Sequence, residues 1–286
     1  MKLLPGLALA IIVLAFAGLM VWRQFDDLAD RRVGAKLAAF QVSEPARFDP
    51  ALVAQLPEPA RRYFEFVIKP GTPLHTVAEI EMTGRFSLGT QDSPNYLPMA
   101  ARQTLAGPAG FVWRMSAQRG LLRISGSDAL SHGGNWTRFW LIGLLPVARV
   151  SGTADHRRSA FGRAVAEAAF WTPAALLPGP GITWTQVDAT TARVAVRYDG
   201  MEQSVDVTIA ADGRPVRIAL QRWSDANADK VFRLQLFGGL LSEFRDFDGF
   251  RLPTRVEAGN QFGTAAYFPF YLADVTRIAF PSGAGR

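Results

Sequence analysis

Residues 191–209 read TARVAVRYDGMEQSVDVTI, and this stretch decides the fold class. Ala192, Val194, Val196 and Tyr198 alternate with Arg193, Ala195 and Arg197, while Val205, Val207 and Ile209 alternate with Ser204, Asp206 and Thr208. A period of two places one set on each face of a strand. Asp199-Gly200 lies between the runs and supplies the positive φ angles that a tight hairpin turn requires. The stretch therefore reads as an antiparallel hairpin with one buried face.

The same signals spread outward from it. Asp212-Gly213 and Asp248-Gly249 also separate strand-like runs, so the C-terminal half reads as an antiparallel meander. Toward the N-terminus, Ile80, Met82 and Phe86 alternate with Glu79, Glu81, Thr83 and Arg85, and Phe111, Trp113 and Met115 alternate with Val112, Arg114 and Ser116. Between the two sets of strands lies SAFGRAVAEAAFWTPAALLP, residues 159–178. Ser159 is the expected N-cap, Ala160 to Ala169 are mostly helix formers, and Thr172-Pro173 ends the helix or restarts it. Strands, helix, strands is the order of an α+β domain. The expected form is a strongly curved antiparallel sheet, a half-barrel, packed around or covered by a central helical segment at 159–177.

The N-terminal segment is of a different kind. Leu3 to Trp22 carries no charge, and twenty helical residues span about 30 Å, the thickness of a bilayer's hydrocarbon core. A transmembrane signal anchor over 1–23 is the expected reading, with Trp22 and Arg23 at the interface. The competing reading is a signal peptide cut after Ala15-Phe16-Ala17. Counting Lys and Arg on the two sides would leave the domain in the cytoplasm. A short N-terminal tail with a single Lys and no second span favours an exported domain, on the periplasmic side of the inner membrane, on a single-pass anchor. Residues 24–45 are expected as a juxtamembrane helix or linker with Phe25, Leu28, Leu37 and Phe40 as its apolar side, weakened by Gly34. The single folded domain is expected over 46–286. It opens with a helix capped at Asp49-Pro50 and a second helix, ARRYFEFVI, that stops at Lys69-Pro70-Gly71.

Composition narrows the chemistry. The 286 residues carry a formal charge of +6 and no Cys, which excludes disulfides, thiolate metal sites and Cys nucleophiles. The basic residues are scattered among apolar ones, so no nucleic-acid partner is expected. The chain has three His: His75, His132 and His156. None is spaced from another as metal ligands on one helix are, so no metal is expected. Asp155-His156 and Ser131-His132 are sequence neighbours, a poor geometry for a base and its nucleophile. Ser125-Gly126-Ser127 lacks the flanks of a nucleophile elbow, and Gly133-Gly134 lacks those of a dinucleotide loop. No cofactor and no catalytic residue follow.

What remains is a polar set within apolar surroundings. Arg163, Glu167 and Trp171 recur every four residues and share one helical face. Either Arg163 and Glu167 form a surface ion pair with Trp171 in the core, or the pair is carried inside by a helix too apolar to be exposed. Gln103 and Trp113, on strands joined by Gly107-Pro108-Ala109-Gly110, form a second candidate group. Asp128 is expected to begin a Gly-bearing loop closing over the cavity, and the apolar run Phe139–Pro146 follows it as core or as an exposed patch.

Taken together, LPEPARRYFEF from Leu56, RQTLAGPAGFVWRM from Arg102, LLPVARVSG from Leu144, RAVAEAAFWTPAALL from Arg163 and FDGFRLPT from Phe247 resemble a membrane-anchored bacterial family of unknown function, over roughly residues 55–260. The resemblance implies that Arg163, Glu167 and Trp171 belong to the family's most recognisable motif, R-x-x-x-E-x-x-x-W-x-P, and brings no reaction with it. The hairpins also resemble lipoprotein carriers of the LolA and LolB type, whose curved sheet holds acyl chains. The expected function is an envelope protein, attached to the membrane through residues 3–22, that binds a lipid-like or hydrophobic ligand with Arg163, Glu167, Trp171, Gln103, Trp113 and Asp128, without catalysis. A filled structural or assembly module and an envelope hydrolase are the alternatives.

Overall fold

A computed structural model describes residues 3–283. Met1, Lys2 and residues 284–286, the outer ends of the expected anchor and domain, lie outside the described residues. Three α-helices, α1 (Leu3–Ala38), α2 (Glu58–Val67) and α3 (Ala154–Trp171), accompany one sheet of 13 strands. Six strands precede α3: β1 (Ala78–Ser87), β2 (Tyr96–Ala106), β3 (Gly110–Arg119), β4 (Leu122–Ser131), β5 (Gly134–Leu141) and β6 (Leu145–Ser151). Seven follow it: β7 (Ile182–Gln186), β8 (Thr191–Tyr198), β9 (Met201–Ile209), β10 (Pro215–Ser224), β11 (Arg233–Phe247), β12 (Phe250–Asn260) and β13 (Phe268–Ala279).

The chain enters the sheet in its middle. From β1 it meanders outward to the edge at β6, α3 carries it to the opposite edge at β7, and a second meander returns inward until β13 pairs with β1. Every pairing is antiparallel, and β6 does not pair with β7, so the sheet stays open. Asp199 and Gly200 have φ of 51° and 73°, as the opening hairpin requires. Asp49 caps a short 3-10 helix at Pro50–Val53, and α2 begins two residues before the expected Ala60, with Pro59 in its first turn.

The sheet curls around α3, which touches β2 to β5 on one side and β9, β10 and β12 on the other. Curling brings His132, at the end of β4, within 3.0 Å of the Tyr198 hydroxyl on β8. The concave side holds the main core, in which Phe161, Val165, Trp171, Phe111, Leu105 and Val205 are almost fully buried. Small residues let α3 seat closely: a Cβ on Gly107 would stand 2.5 Å from the Ala168 Cβ, so the β2–β3 turn reaches the helix only as Gly. The helix starts earlier than expected. Thr153, not Ser159, is its N-cap, with its hydroxyl accepting from the His156 amide, and the first turn carries Asp155 where the helix dipole favours an acid.

On the convex side the expected linker takes another form. α1 continues without a break through residue 38, so the segment 24–38 is the C-terminal half of one 36-residue helix. Its inward face is not the apolar set Phe25, Leu28 and Phe40, all of which are exposed. Arg23, Asp26, Asp30, Val33, Gly34 and Leu37 face the sheet instead, at the three- and four-residue spacing of a helical stripe. Asp26, only 6% exposed, accepts from Arg138 (3.0 Å), from both Arg149 terminal nitrogens (2.8 and 2.9 Å) and from Trp140 Nε1 (3.0 Å). Asp30 accepts from Arg138 at 2.7 Å and from the Ser127 hydroxyl at 2.8 Å. Below them Leu37 and Val33 join Val77, Ala106, Val112, Ala129 and Trp136 in a separate apolar cluster. Residues 6–18 are exposed throughout. This helix is long and apolar enough to cross a membrane.

Removing one partner from a buried ion pair costs about 3–5 kcal/mol, because the other charge stays desolvated. Asp26→Ala strands Arg149 and leaves Arg138 with Asp30 alone, so an unfolding free energy lower by about 3 kcal/mol is expected in chemical denaturation. Asp27→Ala, next door but outside any ion pair among the described residues, is expected to cost under about 0.5 kcal/mol. Equal losses at the two positions would show that the buried pairs do not hold the helix.

Candidate functional site

Strand register assembles the site. Gln103 on β2, Trp113 on β3, Asp128 on β4 and Thr137 on β5 are successive cross-strand partners, so they form one row on the concave face. Asp128 is therefore a strand residue and not the start of a loop: the two strands pass so closely at Gly126 that a Cβ there would meet the Arg138 carbonyl oxygen at 2.0 Å. The expected loop shrinks to a two-residue β4–β5 turn at His132 and Gly133, because β4 continues through Ser131 and Gly134 already opens β5.

α3 lays Arg163 across this row. Its Nε donates to Glu167 (2.7 Å), one terminal nitrogen to Asp128 (2.8 Å) and the other to the Gln103 side-chain oxygen (3.5 Å). The Gln103 amide in turn donates to Glu167. The guanidinium lies 4.5 Å from the Phe111 ring centroid and 5.0 Å from that of Trp113, a stacked geometry that suits a delocalised cation. Arg163 and Glu167 are thus an interior pair, and the surface reading fails. Trp171 is fully buried and donates to the Pro253 carbonyl at 3.4 Å.

The network extends beyond Asp128. Thr137 Oγ1 lies 2.8 Å from Asp128 and 2.8 Å from His156 Nε2. The Asn135 amide nitrogen, which also donates to the Thr153 carbonyl, lies 2.7 Å from His156 Nδ1. An amide nitrogen can only donate, so Nδ1 accepts and Nε2 carries the proton. Nε2–H then donates to Thr137, whose own proton goes to Asp128. Burial pushes the Asp128 carboxyl up, but His156, Arg163 and Thr137 outweigh it and bring it down to about 2.

Beside this network is a cavity of about 270 Å³. Asp128, Thr137, Arg163, Glu167, Trp113 and Trp171 contribute to its wall, whereas Gln103 stands behind it, bonded to Glu167. The remaining wall is mostly apolar: Phe86 and Phe139, Phe170 on α3, Ile218, Leu220, Phe237, Leu241, Val256, Phe270 and Tyr271. Arg222 also reaches it, in phase with Ile218 and Leu220 on β10, with Nε 3.4 Å from the Ser159 carbonyl. Burial and the like charge of Arg163 pull its guanidinium below the ordinary value. Sequence reading missed Arg222, Thr137, His156 as a network member and the whole β10–β13 wall. An Arg at an inward position of the alternating run Ile218, Leu220, Arg222 was the signal available. Among the described residues no cluster of three or more His, Asp and Glu could hold a metal.

The model of DUF6544, a family of unknown function, matches residues 46–271. The chain belongs to this family. The match takes in the Arg163, Glu167 and Trp171 motif and every wall residue of the cavity, and the family description names no reaction. No match was found among curated proteins. Among solved structures, this family member is similar to a LolA superfamily protein of Nitrosomonas europaea, at 9% identity, covering 78% of this chain and 91% of that one, with a TM-score of 0.40. It is also similar to a DUF1329 family protein of Desulfovibrio piger, at 11% identity, covering 80% of this chain and 92% of that one, with a TM-score of 0.40. Likenesses this shallow do not say what the cavity holds.

Two outcomes are expected from the network. Glu167→Ala removes one of the two carboxylates on Arg163 and the acceptor of Gln103, and is expected to lower the unfolding free energy by about 3 kcal/mol. Because the folded Asp128 carboxyl titrates below its ordinary 3.8, its contribution is complete above that value and is lost as pH falls toward 2. The stability gap between wild type and Asp128→Asn, measured by urea unfolding, is therefore expected to hold from pH 7 to about 5 and to shrink between 4 and 2. A gap independent of pH over that range would contradict the assigned ion pair.

Proposed function

We propose that this protein is held at the inner membrane by the exposed apolar half of α1 and binds a lipid-like or other hydrophobic ligand in the cavity between α3 and the concave sheet, without chemistry on it. The observation that carries the reading is the cavity itself. It is walled mostly by aromatic and aliphatic side chains, with Asp128, Thr137, Arg163 and Glu167 along one row and Arg222 and Glu257 on β10 and β12. Its volume is just under the range of about 300–1,000 Å³ typical of small-molecule sites, enough for one small apolar ligand or part of a longer one.

The polar row supports binding over hydrolysis. Thr137, His156 and Asp128 lie close together as a nucleophile, base and acid would, but their proton order is wrong for that task. With Asn135 donating to Nδ1, His156 presents a proton to Thr137 and has no lone pair at Nε2 to take one. Arg163 and Glu167 are likewise committed to each other, to Asp128 and to Gln103. The row acts as a rigid polar end wall that orients what enters.

An apolar fluorescent probe such as N-phenyl-1-naphthylamine tests the cavity. Uptake is expected by the wild type and is expected to fall several-fold in Ala166→Phe, which fills the cavity from α3. Native mass spectrometry of detergent-extracted protein is expected to show a co-purifying lipid. Absence of both signals would indicate a cavity serving only as packing. For the anchor, an alkaline phosphatase fused after Arg286 is expected to be active, as export of the domain requires. An inactive phosphatase with a fluorescent cytoplasmic reporter at the same position would place the domain in the cytoplasm.

A further inference from the structure

The β3–β4 and β5–β6 turns lie side by side, with the Ile142 amide donating to the Arg123 carbonyl at 2.6 Å. Their tips present apolar side chains to solvent. Leu121 is 96% exposed, and Leu122, Ile142 and Leu145 are also exposed. Turn tips ordinarily carry Gly, Asn, Asp or Ser, for conformational and hydrogen-bonding reasons. Ile142 departs furthest from that rule: its φ is +47°, and among the described residues it is the sole β-branched side chain with positive φ. A branched side chain resists this conformation, so nothing in the folding of the turn selects Ile there. An outlier of this kind points to a function.

The same end of the sheet is where α1 leaves the domain. Trp22 packs edge-on against Trp140 at 5.5 Å, and the Arg149 guanidinium lies 4.3 Å from the Trp22 ring centroid. The turn closes over Arg23, whose Nη1 lies 2.1 Å from where a Gly143 Cβ would stand. The exposed apolar run of α1 ends at Val21 and Trp22, so the level at which this helix changes from apolar to docked is also the level of Ile142 and Gly143. Around the tips stand Arg23, Arg119 and Arg123, basic groups suited to phosphate headgroups. Aromatic and basic residues at the rim of an apolar surface are the composition of a membrane interface.

We infer that the paired turns Gly120–Leu122 and Ile142–Leu145 insert into the headgroup region of the leaflet from which α1 emerges, as a second contact with the same bilayer. The occupant of this patch is the lipid surface, because the neighbouring helix already ends in it. The inference rests on the anchor reading above, and its test separates the two.

The chain has no Cys, so single thiols can be introduced by Leu14→Cys, Leu121→Cys, Ile142→Cys and Gly133→Cys and labelled with the environment-sensitive fluorophore NBD. Gly133 lies in the β4–β5 turn, at the opposite end of both strands from the tips, about 30 Å away by strand rise. The full-length labelled proteins are placed in nanodiscs of phosphatidylethanolamine and phosphatidylglycerol, with or without bromine near the headgroup end of the acyl chains. Blue-shifted emission quenched by bromine is expected at 14, 121 and 142, and neither change at 133. Quenching at 14, with 121 and 142 behaving like 133, overturns the inference and leaves the anchor in place. Loss of quenching at 14 as well as at 121 and 142 overturns both.

Discussion

Everything in this molecule depends on the pairing of β1 with β13. It joins the first strand of the sheet to the last, Glu79 opposite Ala279 and Phe86 opposite Tyr271, and so turns two separate meanders into one curved surface. The pairing tolerates one irregularity at Glu81 and Met82, and it needs Gly84, where a Cβ would stand 2.0 Å from the Leu272 carbonyl oxygen. Contacts so distant in sequence carry the entropy of closing a long loop before they give anything back. The sheet cannot be completed until its final strand exists, so the C-terminal residues are as structural as the core.

Across that seam the two meanders contribute unequally to the cavity. The first supplies the polar row Gln103, Trp113, Asp128 and Thr137, and the second supplies most of the apolar wall, from Ile218 to Tyr271. α3, the connection between them, carries the one cation that ties the row together. Arg163 is tolerated inside because Glu167, Asp128 and Gln103 pair and hydrogen-bond it.

Much of this was legible in the sequence, because much of it is local. Period-two runs and Asp-Gly turns reported the strands, and the spacing of Arg163, Glu167 and Trp171 reported a shared face whose other residues were too apolar to be wet. What stayed hidden depends on partners far away in the chain. The roles of Asp26 and Asp30 are not legible in residues 24–45, because their partners Arg138 and Arg149 lie more than a hundred residues later. For the same reason the apolar spacing of Phe25 and Leu28 points to the wrong side of the helix. The start at Thr153 was missed because Asp155-His156-Arg157-Arg158 reads as a polar connection, although an acidic residue in a first turn is a helix-start signal. Asp128 lies in a strand because Gly133 serves a tight two-residue turn after Ser131, and a glycine marks a turn without fixing how far the flanking strands run before they pair.

The unbroken course of α1 into the Asp26 and Asp30 ion pairs has a mechanical meaning. A domain joined to its attachment by a flexible segment would rotate freely about it and visit every orientation. Here the helix passes directly into a buried network on the convex face, and the domain and the helix form a single lever. Whatever holds residues 6–18 also sets the height and tilt of the sheet, so that the concave side and its cavity keep a constant bearing toward it.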